Sequence, residues 1–141
     1  MKRVIFAVLF LSLSVCYFSF STAILIDTSR SVPKGQFEEA KKRLMEIIPL
    51  LVDKGGVTIV SFNDDAIFEA KSLTDVSSIN QRIENVTQGG NYTLLYDALV
   101  KTLENFEDTN EKGIIILLSD GKDENSATEI EDVARKADVL K

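Results

Sequence analysis

Histidine is absent from this 141-residue chain, and cysteine occurs once, at Cys16. Without histidine there is no Ser-His-Asp or Cys-His chemistry and none of the commonest zinc sites. A lone cysteine forms no internal disulfide. Bases are also in the minority, with 16 Lys and Arg against 22 Asp and Glu and a net charge of −6. That balance argues against nucleic acid as a partner, because phosphate backbones are held by clustered Lys and Arg. No repeat, low-complexity segment or interdomain linker interrupts the chain. Its 45% apolar content is that of one globular domain.

The first 21 residues read differently from the rest. Lys2-Arg3 precede an apolar run from Val4 to Phe20 that only serines, Cys16 and Tyr17 interrupt. This is the layout of a secretory signal peptide, with small-x-small cleavage patterns at Ser14-Val15-Cys16, Ser19-Phe20-Ser21 and Ser21-Thr22-Ala23. The run is also just long enough for a short membrane span, so an uncleaved anchor over residues 4–20 is the second reading. Either way the remainder is expected to be secreted, periplasmic or held at the cell surface. Losing the leader removes two bases and no acid, which leaves residues 22–141 more acidic still.

Ala23-Ile24-Leu25-Ile26 runs straight into Asp27-Thr28-Ser29-Arg30-Ser31, the pattern of a buried strand that ends in a polar loop. Phe37, Ala40, Leu44, Ile47, Ile48 and Leu51 then recur at helical spacing, with Glu38, Glu39, Lys41, Lys42 and Arg43 between them. Pro49 is expected to kink or end this helix. Val57–Phe62 reads as a strand, and the short link Asn63-Asp64-Asp65 makes Ala66–Glu69 its antiparallel hairpin partner at a sheet edge. Ser77 or Ser78 is placed to cap a helix that turns Ile79, Ile83 and Val86 inward. Leu95, Leu99, Leu103 and Phe106 mark the next helix, and Ile114–Leu118 reads as a strand covered on both faces. A last helix from about Thr128 carries Ile130, Val133, Ala134, Ala137 and Leu140. The order is that of an α/β fold, a doubly wound, Rossmann-like, mainly parallel sheet with one antiparallel edge strand.

Three separated loops supply hard oxygen groups at the same end of that sheet: Asp27, Ser29 and Ser31, then Thr93, then Asp120. Carboxylate and hydroxyl oxygens without nitrogen or sulfur suit Mg²⁺, Mn²⁺ or Ca²⁺. Ligands of open α/β sheets bind beyond the C-terminal strand ends, where neighbouring helices leave on opposite faces. Each motif alone has a plainer reading. Asp-x-Ser-x-Ser is a common capping turn, Thr93 suits the N-cap of the following helix, and Asp120-Gly121 is a frequent turn pair. Asp97 reads as a structural helix residue, and Asp123 and Glu124 as decoration of the rim. Asn85-Val86-Thr87 and Asn91-Tyr92-Thr93 match the glycosylation sequon, and a glycan on Asn91 would crowd the loop that carries Thr93.

Taken together, the motifs resemble those of von Willebrand factor A domains over about residues 23–141. Asp27-Thr28-Ser29-Arg30-Ser31 matches the Asp-x-Ser-x-Ser of the family's metal-ion-dependent adhesion site. Gly89-Gly90-Asn91-Tyr92-Thr93-Leu94-Leu95-Tyr96-Asp97-Ala98 is similar to its Gly-Thr-x-Leu-Tyr-Asp-Ala loop and helix, and Ser119-Asp120-Gly121 to its Thr-Asp-Gly turn. The resemblance implies that Ser29, Ser31 and Thr93 are hydroxyl ligands of a divalent ion, with Asp27 and Asp120 as the charge behind them. An open position on the ion would take an acidic side chain of a protein partner, which makes the chain a binding module and not an enzyme. Arg30 stands where many members have glycine, and Asn91-Tyr92 separate the glycines from Thr93. The family also continues for two strands and a closing helix beyond the point matching Lys141, so the fold is expected to be C-terminally truncated, with the strand from Ile114 to Leu118 left with one unpaired edge and poorly covered faces. Two competing readings are an Asp27-dependent phosphoryl hydrolase and a truncated copy that binds nothing. The hydrolase reading lacks its second acid, since Ser29 occupies that place.

Overall fold

The computed structural model describes residues 20–109 and 112–139. Most of the proposed leader, residues 1–19, lies outside them. In chain order the elements are β1 (Phe20–Asp27), α1 (Lys34–Val52), β2 (Val57–Phe62), β3 (Ala66–Leu73), α2 (Val76–Asn85), α3 (Leu95–Thr109), β4 (Lys112–Leu118) and α4 (Ile130–Val139). The four strands form one sheet in the order β3-β2-β1-β4. β1 runs parallel to both β2 and β4, with Ile24 opposite Ile59 on one side and Ile116 on the other. β3 is antiparallel to β2 and forms the edge expected of the hairpin, four residues longer than the apolar pattern suggested.

The period of two along β1 divides the core. Ile24 and Ile26 face α1 and α2, where they meet Phe37, Leu44, Ile48, Ile79 and Ile83. Ala23 and Leu25 face α3, where they join Val60, Phe62, Leu95, Ala98 and Phe106. From Ser21 onward every residue of β1 is buried. That is why its sequence is apolar without alternation.

Several local expectations are corrected. α1 continues through Pro49 to Val52, because the proline sits in the exposed last turn, where water can satisfy the carbonyl its ring leaves unpaired. α2 is capped by Asp75, whose carboxylate accepts the Ser78 N–H at 2.7 Å, so Ser78 is the donor and neither serine is the cap. Lys41, read as part of the polar face of α1, is buried. Its Nζ donates to the carbonyls of Glu84 (3.2 Å) and Val86 (3.0 Å) at the end of α2, beside Glu38 and over the Phe37 ring. A long apolar stem with a cationic tip suits that place, where helix carbonyls have run out of amide partners.

β4 is only partly covered on either face: Ile115 packs on the α3 side and Ile116 and Leu118 on the α1 side, while Ile114 is 45% and Leu117 39% exposed. Among the described residues it is an edge strand. α4 forms as expected, but it packs beside α3, where Lys136 bridges Glu104 and Glu107, and Ile130 and Ala134 stay exposed. Leu140 lies outside the described residues. No described helix is long and apolar enough to cross a membrane.

Replacing Lys41 by Met keeps the stem and removes the donor, leaving two carbonyls at the end of α2 without it. Lys41→Met should lower unfolding free energy by about 1–3 kcal/mol in urea titration. A variant as stable as the parent would show that water satisfies those carbonyls equally well.

Candidate metal centre

Asp27 is the last residue of β1 and only 1% exposed. A carboxylate at such depth must be met by donors. Its Oδ1 accepts the Ser29 N–H at 2.9 Å, and its Oδ2 accepts the Ser119 hydroxyl at 2.8 Å. The first bond folds the chain back on itself after the strand. It leaves the hydroxyls of Ser29 and Ser31 2.8 Å apart, one donating to the other. Gln88 fastens the same loop through its side-chain amide, which donates to the carbonyls of Ser29 (3.3 Å) and Val32 (2.7 Å).

Thr93 lies just ahead of α3 and is fully buried. Its carbonyl accepts the Glu124 N–H at 2.7 Å, an isolated bridge between the second and third loops. Its hydroxyl caps nothing. Oγ1 is inaccessible to solvent and has no hydrogen-bond partner, a condition it shares with only Asn80 Oδ1 among the described residues. Buried hydroxyls are ordinarily paired, so an orphan at this place is a feature that needs a cause.

Asp120 stands two residues beyond β4, on the rim. Its Oδ1 accepts the Lys122 N–H at 3.1 Å, an Asx turn that opens the third loop. Asp27, Ser119 and Asp120 together line one end of a cavity of about 230 Å³ that continues between α1 and β4 past Val32, Phe37 and Leu118. The structure thus joins Asp27, Ser29 and Ser31 in one run of hydrogen bonds and places Asp120 on the cavity that Asp27 also lines. Thr93 is tied to them through the backbone: Thr28 accepts the Gly89 N–H at 2.8 Å.

Three contributors went unassigned in the sequence. Ser119 was inside a quoted motif, but nothing in its spacing announced a bond to a residue 92 positions away. Asp123 is no decoration: its Oδ1 accepts the Tyr96 N–H at 3.2 Å and the Ser126 hydroxyl at 2.6 Å, and Ser126 Oγ in turn accepts the Tyr96 and Asp97 N–H groups. Glu124 acts through its backbone on Thr93. Asp97 is structural, as read. Its carboxylate accepts the N–H groups of Ala127 (3.0 Å) and Thr128 (2.9 Å), so the start of α3 and the segment before α4 cap one another.

The donor set tests whether a metal fits. Among the described residues no three Asp, Glu, Cys or His side chains gather in a cluster that could hold an ion. What the three loops offer instead is hydroxyl oxygen together with two acids, Asp27 and Asp120, which is hard-cation chemistry. The orphaned Thr93 hydroxyl, with two lone pairs and no partner, fits such an ion.

The fold and this rim define a doubly wound α/β domain with an oxygen-rich site at the C-terminal ends of its parallel strands. The von Willebrand factor type A domain profile matches residues 23–140, and the chain belongs to that family. No curated protein sequence matches it. Solved structures similar to it include proximal thread matrix protein 1 from the mussel byssus, with a zinc-occupied MIDAS motif (TM-score 0.72, 21% identity, 87% of this chain and 34% of that one). They also include BatB from Bacteroides thetaiotaomicron (0.68, 21%, 85% and 62%) and the vWF domain of the type V pili tip protein Mfa5 from Porphyromonas gingivalis (0.65, 18%, 75% and 39%). At such identities the likeness is one of fold. The chain spans about a third of the mussel protein's length and 62% of BatB's.

Burial pushes the Asp97 carboxyl upward, but the Thr128 hydroxyl and the amides of Ala127 and Thr128 outweigh it and hold the group below the ordinary carboxylate range. A depressed folded-state value means that its contribution is complete above the unfolded value of about 4 and is lost as pH falls through the lower folded one. Asp97→Asn should therefore flatten part of the acid limb below about pH 4 in denaturant titrations. An unchanged acid limb would show that the mutual cap contributes nothing there.

Proposed function

We propose that the chain is an exported, non-enzymatic binding module that holds a divalent cation, Mg²⁺ or alternatively Mn²⁺ or Ca²⁺, and engages a protein partner through it. Ser29, Ser31 and Thr93 offer the hydroxyl ligands, and Asp27 and Asp120 supply negative charge from behind, directly or through water. The partner's acidic side chain would complete the coordination. The observation that carries this reading is the Thr93 hydroxyl, buried and unpartnered on a loop whose backbone is bonded to the loop of Ser29 and Ser31 and to that of Asp120. The zinc in the mussel protein's MIDAS motif supports the general chemistry, and the byssus and pilus-tip settings of two relatives are consistent with export and adhesion.

The hydrolase alternative gains no support from Asp27. Both carboxylate oxygens are engaged by Ser29 and Ser119, and the group is buried, which suits an anchored charge better than a nucleophile that must reach phosphorus.

Thr93→Val separates the site from the fold. Without an ion it replaces an orphaned hydroxyl by a methyl group of similar size, so in chelator the variant should melt at or above the parent temperature. With an ion the order should reverse. At a free concentration of about 100 times Kd the parent gains about 2.7 kcal/mol, and the variant should gain little. Equal metal-dependent gains in both proteins would remove Thr93 from the site.

Export makes a second expectation. Of the three cleavage patterns, only Ser14-Val15-Cys16 leaves β1 whole, because cuts after Ser21 or Ala23 would remove buried residues of its ladder with β4. N-terminal sequencing of the exported protein should begin at Tyr17. A start at Thr22 or Ile24 would show that β1 tolerates the loss, and an intact N-terminus would favour the anchor.

A further inference from the structure

The turn between β2 and β3 carries no member of the proposed site, yet it grips the loop that presents Thr93 on both sides of that residue. Asp64 Oδ1 accepts two backbone donors at once, the N–H of Asn91 at 2.8 Å and of Tyr92 at 2.6 Å. The next residue toward β2, Asn63, accepts the Leu94 N–H at 2.9 Å through its carbonyl. Residues 91 and 92 are therefore fastened to Asp64 and residue 94 to Asn63, two consecutive positions of one tight turn, and Thr93 lies between them. The turn itself is closed by the Asn63 N–H to the Asp65 carbonyl (3.0 Å), and Asp64's own N–H donates to Asn63 Oδ1 (2.6 Å).

The same turn reaches the first loop. Asn63 Nδ2 donates to Thr28 Oγ1 at 2.9 Å, and that hydroxyl donates to the Phe62 carbonyl at 3.0 Å. Gly90 lets the two segments close on each other. It has φ +77°, and a Cβ there would stand 2.7 Å from Asn63 Cβ and Cγ. Any other residue would push the loop off the turn.

We infer that Asp64 is a positioning residue for the metal site, setting cation affinity by holding the Thr93 loop against the β2–β3 turn without touching the ion. The inference rests on the metal-binding reading above and adds a determinant to it. Three of the five proposed members of the site are neutral hydroxyls, weak ligands one by one, so affinity depends on their oxygens already standing at coordination distance. Two amide bonds from a single carboxylate oxygen provide that order for one of the three. Asp64, Asn91 and Tyr92 are all exposed, so their bonds contribute little to the core. Loosening them should be felt in the site more than in the fold.

The test measures Mn²⁺ affinity by titration for the parent, Asp64→Ala, Asp64→Asn and Ile83→Ala, the last a core variant in α2 outside the site. It also measures amide exchange at Asn91 and Tyr92 in chelator. Asp64→Ala should raise Kd about tenfold, the low end of what outer partners of metal sites usually contribute. It should leave the chelated melting temperature nearly unchanged and speed exchange at both amides. Asp64→Asn keeps an acceptor oxygen and should restore most of the affinity and the protection. Ile83→Ala should lower the melting temperature and leave Kd alone, which separates positioning from general loss of stability. Parent-like Kd in Asp64→Ala would overturn the inference while leaving the metal site standing. No Mn²⁺ binding by the parent would overturn the site reading itself. Unchanged exchange at Asn91 and Tyr92 would overturn the clamp whatever the metal does.

Discussion

A strand enclosed on both faces and hydrogen-bonded along both edges has one place to carry polar chemistry, its end. β1 is such a strand, with β2 and β4 beside it and α1, α2 and α3 over its faces. Asp27 is where the apolar run stops, and it stops while still buried. The carboxylate must then recruit donors at once, and those nearest are the Ser29 amide and the Ser119 hydroxyl. The turn that orders Ser29 and Ser31 follows from this desolvation problem as much as from any need to bind an ion. The first and third loops are pulled together by the same group.

The second loop is held differently. No carboxylate at its own root organises it. Its amides are taken by Asp64 and Asn63 of the neighbouring hairpin, and its carbonyl at Thr93 by Glu124. The backbone around Thr93 is thus held at four points while its hydroxyl is not. This contrast gives the orphaned oxygen its meaning, because a loop so thoroughly bonded would have little difficulty satisfying one more group if nothing else required it.

Most of the fold was legible because its signals are one-dimensional. The unbroken apolar run Ala23–Ile26 in β1, the β-branched and aromatic residues of β2 and the three-to-four spacing in α1, α2 and α3 identify these elements, and the three-residue link at Asn63 dictates the antiparallel hairpin. The acids and hydroxyls at strand ends were legible for the same reason, as departures from those runs. What escaped depends on contacts between distant residues. Lys41 reads as solvent-facing until the open carbonyls at the end of α2 are seen beneath it. Ser119 reads as a spacer until Asp27 is placed opposite. The bare edge and partly exposed faces of β4, by contrast, follow from the expected truncation, since an apolar run reports what a strand can bury and not what lies against it. Asp75 displaced two serines as cap because the helix begins at Val76, two positions earlier than a Ser77 cap allows.

The bridge between Thr93 and Glu124 has a consequence for how this domain can vary. Residues 119–126 leave β4 at Ser119, meet Thr93 at Glu124 and end on the Asp123 and Ser126 caps of α3, so the segment is measured off at several points along its length. An inserted or deleted residue there would misplace the bridge, the cap or both. Substitution is the one route by which this part of the rim can diversify, and chemical variety among such domains has to enter through side chains whose backbone stays in register.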